Sequence, residues 1–309
     1  MPLSIRQGVD LMIEQHILDE LVSHHVDSLH AKEAISVLNS LDLIKEGIEF
    51  RALSSGMTNR LFYLKANSGS RIVRLPGERS EFIIDREQEA KVYGDVSPLH
   101  ISDRVFYINA KTGIKVTEFI EEAHSCDPNN KEEVKLAMEH LKRFHSYRLK
   151  GYKKFDLRER IESYEKSLKH NPSDFLSNYD AVKKSVLERL LLVEKMEKEC
   201  MLSHIDSVHE NFIINKDKIR LIDWEYASEC DPHIDIAMFC IYAYYDKNQI
   251  DSTIDLYFGS EACPQNVREK IYHYVAISGF LWALWCEIKR DAGVLYEDYE
   301  KIQYAYGHF

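Results

Sequence analysis

Apolar residues recur at three- and four-residue intervals through residues 8–43 (Val9, Ile13, Ile17, Leu18, Leu21, Val22), the spacing of a helix face. From 47 to 120 the pattern shifts to short β-branched and aromatic runs, IEFRAL, RLFYLKA, RIVRLPG, RVFYINA and IKVTEFI, separated by turn residues such as NSGS and AKTG. The first region predicts a helical extension over 1–45, and the second about five strands over 46–121. One helix interrupts the strands, because IIDREQEAKVYGDV (83–96) lacks alternation and is rich in helix formers.

Past Glu122 the periodicity is helical again. KEEVKLAMEHLKRFHSYRL (131–149) follows DPNN, a sound start signal, and two or three more helices are expected over 157–200. Two apolar runs with embedded polar residues follow, LSHIDSVHENFII (202–214) and IRLIDWEY (219–226), which read as a hairpin before helices resume. A small antiparallel sheet followed by a larger helical region over 122–309 predicts an α+β chain in two lobes, with the site expected in the cleft between them.

Composition narrows the possibilities. The 309 residues are 45% apolar and 11% aromatic, a globular composition, and the net charge of −11 leaves no basic stripe for nucleic acid. Six cysteines form no C-x-x-C pair, which fits free thiols in a reducing cytoplasm and excludes a structural zinc site of that type. The N-terminus has acidic residues where a signal peptide needs an unbroken apolar segment, and IYHYVAISGFLWALWC (271–286) falls short of the ~20 apolar residues of a membrane span. A cytoplasmic protein without membrane or nucleic-acid partners is expected. Its N-terminal helices are a possible route to a homo-oligomer.

The H-x-D-x4-N spacing of His204, Asp206 and Asn211, with Asp223 in the next run, supplies what phosphoryl transfer needs. That reaction requires a carboxylate to orient a hydroxyl and accept its proton, and oxygen ligands that hold Mg2+ against nucleotide phosphates. Asp206 takes the first role, Asn211 and Asp223 the second, and His204 braces the turn.

HIDSVHEN and LIDWEYA together resemble the catalytic loop and metal-binding segment of the choline kinase and aminoglycoside phosphotransferase superfamily, whose fold is protein-kinase-like. The resemblance covers about 47–309 and implies ATP and Mg2+ as cofactors. SSGMTNRLFYLK (54–65) looks like the family's nucleotide loop, which implies phosphate contacts by Ser55, Gly56, Met57, Thr58 and Asn59. Arg74 in RIVRLPG stands where these kinases keep a basic residue for the phosphates, with Glu89 as its partner. KVTEFIEE (115–122) stands at the hinge, where Glu118 and Ile120 would meet adenine.

LWALWCEIK (281–289), with DYEKIQYAY after it, resembles choline kinases of bacteria that decorate surface glycans with phosphocholine. Trp282, Trp285, Tyr226 and Tyr304 would enclose a quaternary ammonium by cation–π attraction, with Glu225 and Tyr242 also at the substrate. Choline kinases usually carry a glutamate at the position of Tyr242, so a counter-charge is missing here. The implied activity is phosphorylation of choline, with ethanolamine, another amino alcohol or an aminoglycoside as alternative substrates. A metal-dependent hydrolase using His204, Asp206 and Asp223 would need a second histidine cluster, and the other histidines are scattered. A kinase fold that only senses ligand would not need the complete set of polar residues present.

Overall fold

The computed structural model describes residues 3–44, 48–53, 59–76, 84–216, 218–291 and 293–309. The chain forms two compact units, one of Met1–His124 with Asn215–Glu225 and the other of Ser125–Ile214 with Tyr226–Phe309. The first unit therefore includes the N-terminal helices and takes back an eleven-residue piece carrying the second polar run.

In the first unit, helices α1 (Leu3–Ser23) and α2 (Ser28–Ser40) precede strands β1 (Glu49–Ala52), β2 (Asn59–Ala66) and β3 (Gly69–Pro76). Helix α3 (Arg86–Val96) and strands β4 (Val105–Ile108) and β5 (Lys115–Glu118) follow. The five strands form one antiparallel sheet in the order β1-β2-β3-β5-β4, matching the five runs of the sequence. Strand alternation sends Phe62, Val73 and Val116 to one face, where they join Ile17, Leu21, Val37 and Leu38 of α1 and α2 in a single core. Asp27 caps α2 by accepting from the N–H groups of Leu29 and His30. The Glu20 carboxylate accepts the Ala52 N–H (2.9 Å), and Glu33 accepts from Asn109 and Thr112, so polar bonds as well as apolar contact fix the helix pair on the sheet. The opposite face is polar. Arg74 and Lys115 are register partners across β3 and β5, and both side chains reach α3.

The second unit is mostly helical: α4 (Lys131–Ser146), α5 (Leu157–Ser167), α6 (Tyr179–Lys195), α7 (His233–Tyr242), α8 (Lys247–Phe258), α9 (Gln265–Asp291) and α10 (Glu297–Tyr306). Strand β6 (His124–Ser125) precedes α4; β7 (Met201–Ser203), β8 (Phe212–Asn215) and β10 (Ser228–Cys230) lie between α6 and α7, and β9 (Lys218–Leu221), between β8 and β10 in the chain, falls in the piece that belongs to the first unit. β8 and β9 are neighbours in a three-stranded sheet, as the hairpin reading expects, whereas β7 pairs with β10. By length and composition α9 could cross a membrane, but 83% of its apolar window is buried inside the protein, as befits a core helix. It packs closely on α10 because residue 279 is glycine. A Cβ there would stand 2.5 Å from Tyr306 Cβ and 2.6 Å from the Gln303 carbonyl oxygen.

Candidate active site

The loop after β7 is held by Asp235 of α7. Its two carboxylate oxygens accept the N–H groups of His204 and Ile205, each at 2.8 Å, and Ser207 Oγ donates to the Asp235 carbonyl (2.6 Å). His145 Nε2 lies 2.9 Å from the same carboxylate, and its Nδ1 lies 2.8 Å from the Tyr257 hydroxyl. This buried support keeps Ile205 in the left-handed region (φ 68°), a conformation a β-branched residue adopts only under constraint. The bend leaves Asp206 half-buried while His204 is fully buried. Asn211 Nδ2 donates to the Asp206 carbonyl (2.8 Å) and lies 3.3 Å from its carboxylate. The amide nitrogen is thus committed to the loop, and the amide oxygen is the atom left for another partner.

The same unit carries a continuous arc of aromatic rings. Tyr226 contacts Trp282 (6.4 Å between centroids), Trp282 contacts Tyr242 (6.2 Å), and Tyr242 contacts Tyr299 (5.6 Å). Tyr299 then meets Tyr296 (6.4 Å), which stacks on Trp285 (5.6 Å). Trp282 Nε1 donates to the Tyr242 hydroxyl. Burial first, then the adjoining Tyr299 and the Asp206 carboxylate, hold the Tyr242 hydroxyl well above the ordinary tyrosine pKa. Burial and, less strongly, Cys286 and Asp206 do the same to Tyr299, so the carboxylate and these rings share one neighbourhood.

In the first unit the polar sheet face builds an ionic cluster. Arg74 Nη2 donates to Glu89 (2.9 Å) and to the Gly113 carbonyl (3.0 Å), and its Nη1 bonds Glu89 and lies 3.4 Å from Glu225. Lys115 Nζ donates to the Tyr93 hydroxyl (2.7 Å) and lies 3.3 Å from Glu89. Burial opposes charge on Glu89, but Lys115, Arg74 and Arg86 outweigh it and hold this carboxyl far below its usual range. Burial likewise opposes the Arg74 charge, and the carboxylates of Glu89, Glu225 and Asp223 more than offset it. Burial, then the Asp223 charge, raises the Glu225 pKa.

The carboxylate oxygens of Glu89, Asp223 and Glu225 lie within 4.8 Å of one another, close enough to share a cation. Glu89 and Glu225 are committed to guanidinium groups. The Asp223 side chain is 33% exposed, and its nearest cations among the described residues are 3.9 and 4.0 Å away, so it is the carboxylate of the three best placed to give an oxygen to a metal. Its backbone is left-handed (φ 64°).

Two residues expected at the substrate, Glu225 and Tyr304, bond other parts of the protein. Glu225 accepts from Asn59 Nδ2 (3.0 Å) and from both arginines, because the turn after Asp223 aims its carboxylate into the ionic cluster. Tyr304 is buried, packs on Phe280 and donates to the Ser177 carbonyl (2.9 Å). At the hinge, the N–H groups of Glu118 and Phe119 are taken by the carbonyls of Arg104 and Ser70, and Ile120 lies just past them. Ser55, Gly56, Met57 and Thr58 lie outside the described residues, while Asn59 opens β2.

Comparison with known proteins decides the family. The profile described as Choline/ethanolamine kinase matches residues 50–257. The chain belongs to the choline/ethanolamine kinase family. It is 26% identical over 273 residues to "Protein LicA" of Haemophilus influenzae, covering 83% of this chain and 78% of that one. It is 24% identical to a "Probable ethanolamine kinase" of Nematostella vectensis, covering 85% and 86%. The structure of choline kinase LicA from Streptococcus pneumoniae superposes with a TM-score of 0.77 at 25% identity, covering 91% of this chain and 98% of that one. An amicoumacin kinase superposes at 0.63 with 15% identity, a likeness of fold alone. The fold is protein-kinase-like, and this choline/ethanolamine kinase homologue is an ATP-using small-molecule kinase that phosphorylates an alcohol group.

Several residues that shape this kinase site escape a reading by motif. Arg86, Lys115 and Tyr93 enter the ionic cluster through the packing of α3 on β5, and the one local sign was the three-residue spacing of Arg86 and Glu89 on a helix. Tyr296 and Tyr299 are likewise three apart at the start of α10, a spacing that puts both rings on one side.

Proposed function

We propose that this kinase transfers the γ-phosphoryl group of ATP to the hydroxyl of choline, giving phosphocholine, with Mg2+ as its metal. The observation that carries the choice is the aromatic arc beside Asp206, in which the Tyr242 hydroxyl accepts the Trp282 indole N–H. An alcohol held at Asp206 has its ammonium two carbons away, in the neighbourhood of these rings. A quaternary ammonium has no N–H to satisfy and gains ~0.5–2 kcal/mol from a ring face. The three N–H donors of ethanolamine would need acceptors, and each unmet buried donor costs about 1–3 kcal/mol.

In this reading Asp206 orients the hydroxyl and receives its proton, and His204 fills the turn that holds Asp206. The Asn211 amide oxygen and the Asp223 carboxylate hold Mg2+, which when bound draws charge from the transferring group. Arg74 and the 55–59 loop hold the phosphates, and backbone groups near Glu118 and Ile120 meet the adenine.

The test is kcat/KM for choline and ethanolamine on the wild type and on Trp282→Ala. Choline is expected to win by roughly 5–150-fold, the ratio equivalent to one unmet donor, and Trp282→Ala to lose most of that preference. Equal turnover of ethanolamine, or an unaltered choline KM in Trp282→Ala, sinks the choline assignment.

A further inference from the structure

Arg86, the first residue of α3, has no part in the motif-based account, yet it bonds three members of the ionic cluster. Its Nη1 donates to Glu89 (2.8 Å) and lies 3.2 Å from Glu225 Oε2, and its Nη2 lies 3.4 Å from Asn59 Oδ1. Asn59 Nδ2 in turn donates to the same Glu225 oxygen (3.0 Å), closing a ring of three side chains. The pocket for the guanidinium depends on residue 113 being glycine. A Cβ there would stand 3.0 Å from Arg86 Nε and 2.8 Å from Pro76 Cγ, and the backbone already sits at φ 71°.

The charge count explains why a second arginine matters. Among the described residues, ion pairs join Glu89, Glu225 and Asp223 to Arg74, Lys115 and Arg86, three against three. Without Arg86, two buried carboxylates compete for Arg74, whose guanidinium is drawn between them and away from Asp223. Glu225 is also the anchor that ends the short turn containing Asp223. The Trp224 indole N–H donates to the Leu221 carbonyl (2.8 Å), a second tether of that turn, in which the Asp223 backbone is left-handed.

We propose that Arg86 is a positioning residue for phosphoryl transfer: by tying Glu225 to Glu89 it fixes the Asp223 carboxylate and keeps the Arg74 guanidinium beside it. The fork of an arginine is needed, because Nη1 serves both carboxylates while Nη2 reaches Asn59, a spread that the single nitrogen of an ammonium does not offer. This inference rests on the assignment of Asp223 to the metal and Arg74 to the phosphates, and Asp223→Asn is therefore measured in parallel.

The experiment uses the full-length protein, with Mn2+ affinity read by electron paramagnetic resonance in the presence of a non-hydrolysable ATP analogue, beside steady-state kinetics. Arg86→Met, with wild-type circular dichroism, is expected to weaken Mn2+ binding and lower kcat by about tenfold or more each, while the KM for choline stays within about twofold. Adding Glu225→Gln removes the surplus carboxylate and is expected to recover most of the lost Mn2+ affinity, a rescue that simple loss of packing does not give. Arg86→Lys retains the charge without the fork, and an intermediate loss is expected even if Arg86→Met does not fold. A folded Arg86→Met or Arg86→Lys enzyme with wild-type metal affinity and kcat overturns the proposal, as does a double variant no better than the single one. If Asp223→Asn leaves Mn2+ affinity unchanged, the metal assignment itself fails and takes the positioning role with it.

Discussion

Asp206 and Asn211 are five residues apart, and the hydrogen bonds from the Asn211 amide to the Asp206 carbonyl and carboxylate make them one unit of structure. Removing the negative charge from Asp206 while keeping its shape therefore separates its chemistry from its place in the loop. Asp206→Asn should bind ATP as the wild type does and turn over ~10²–10⁴-fold more slowly, the worth of a positioned base. Near-normal turnover would assign the proton to another group. At this scale the sequence is informative where a motif carries chemistry at fixed spacing. Arg74 and Glu89 also pair as their positions suggest. It is silent about Arg86 and Lys115, whose partners are chosen by the register of β3 on β5 and the rotation of α3 about its axis. The sequence is equally silent about the bonds of Glu225, whose carboxylate the turn sends to two arginines.

The strands and helices were mostly readable from periodicity, because five short runs with turn residues between them leave little choice of element. The role of the N-terminal helices was not readable, since an apolar stripe asks for a partner without naming it. Here the partner is the chain's own sheet: Ile17, Leu21, Ala34 and Leu38 lie in one core with Phe50, Phe62, Leu64 and Val73. Deleting residues 1–44 would expose that sheet face, at roughly 1.5–3 kcal/mol for each large side chain, against a total domain stability of only about 5–15 kcal/mol. The truncated chain is expected to be insoluble or unfolded. The milder Leu21→Ala should cost about 2–5 kcal/mol, as a buried leucine does on truncation. Urea denaturation checks both, and a soluble truncation with wild-type midpoint would show that the sheet does not depend on its helical cover.

Stability as a function of pH is a property of the whole molecule, and two buried carboxyl groups of the second unit are expected to bound it. Asp231 sits 2.6 Å from Lys270 and 2.8 Å from His233; burial alone would raise its pKa, but these partners lower it from 3.8 to about 2. A depressed carboxyl contributes stability that is present above its unfolded value and lost as pH falls through the folded one, which sets an acid limb. Glu300 is the opposite case. Burial, then the neighbouring Glu287, pushes its carboxyl from 4.5 up to about 8, although Arg290 Nη2 lies 2.5 Å away. Glu287 also bonds Arg290 and His170, and His170 bonds Asp291, so charge is crowded where α9 ends and α10 begins. A raised carboxyl contributes stability that is complete below its unfolded value and is lost as pH rises through the folded one. The window here is about 4.5 to 8. Glu300→Gln keeps the protonated shape at every pH, so its Tm relative to wild type should climb across that window and level off above it. A general repulsion from the net charge of −11 would also weaken the fold as pH rises. The two causes separate with salt, because screening at about 1 M shortens the Debye length to about 3 Å and suppresses surface repulsion while leaving a buried pair intact. Scanning calorimetry of both proteins at low and high salt checks the assignment. A difference in Tm that is constant with pH, or one that vanishes in high salt, would place the alkaline limb outside the Glu287–Glu300 pair.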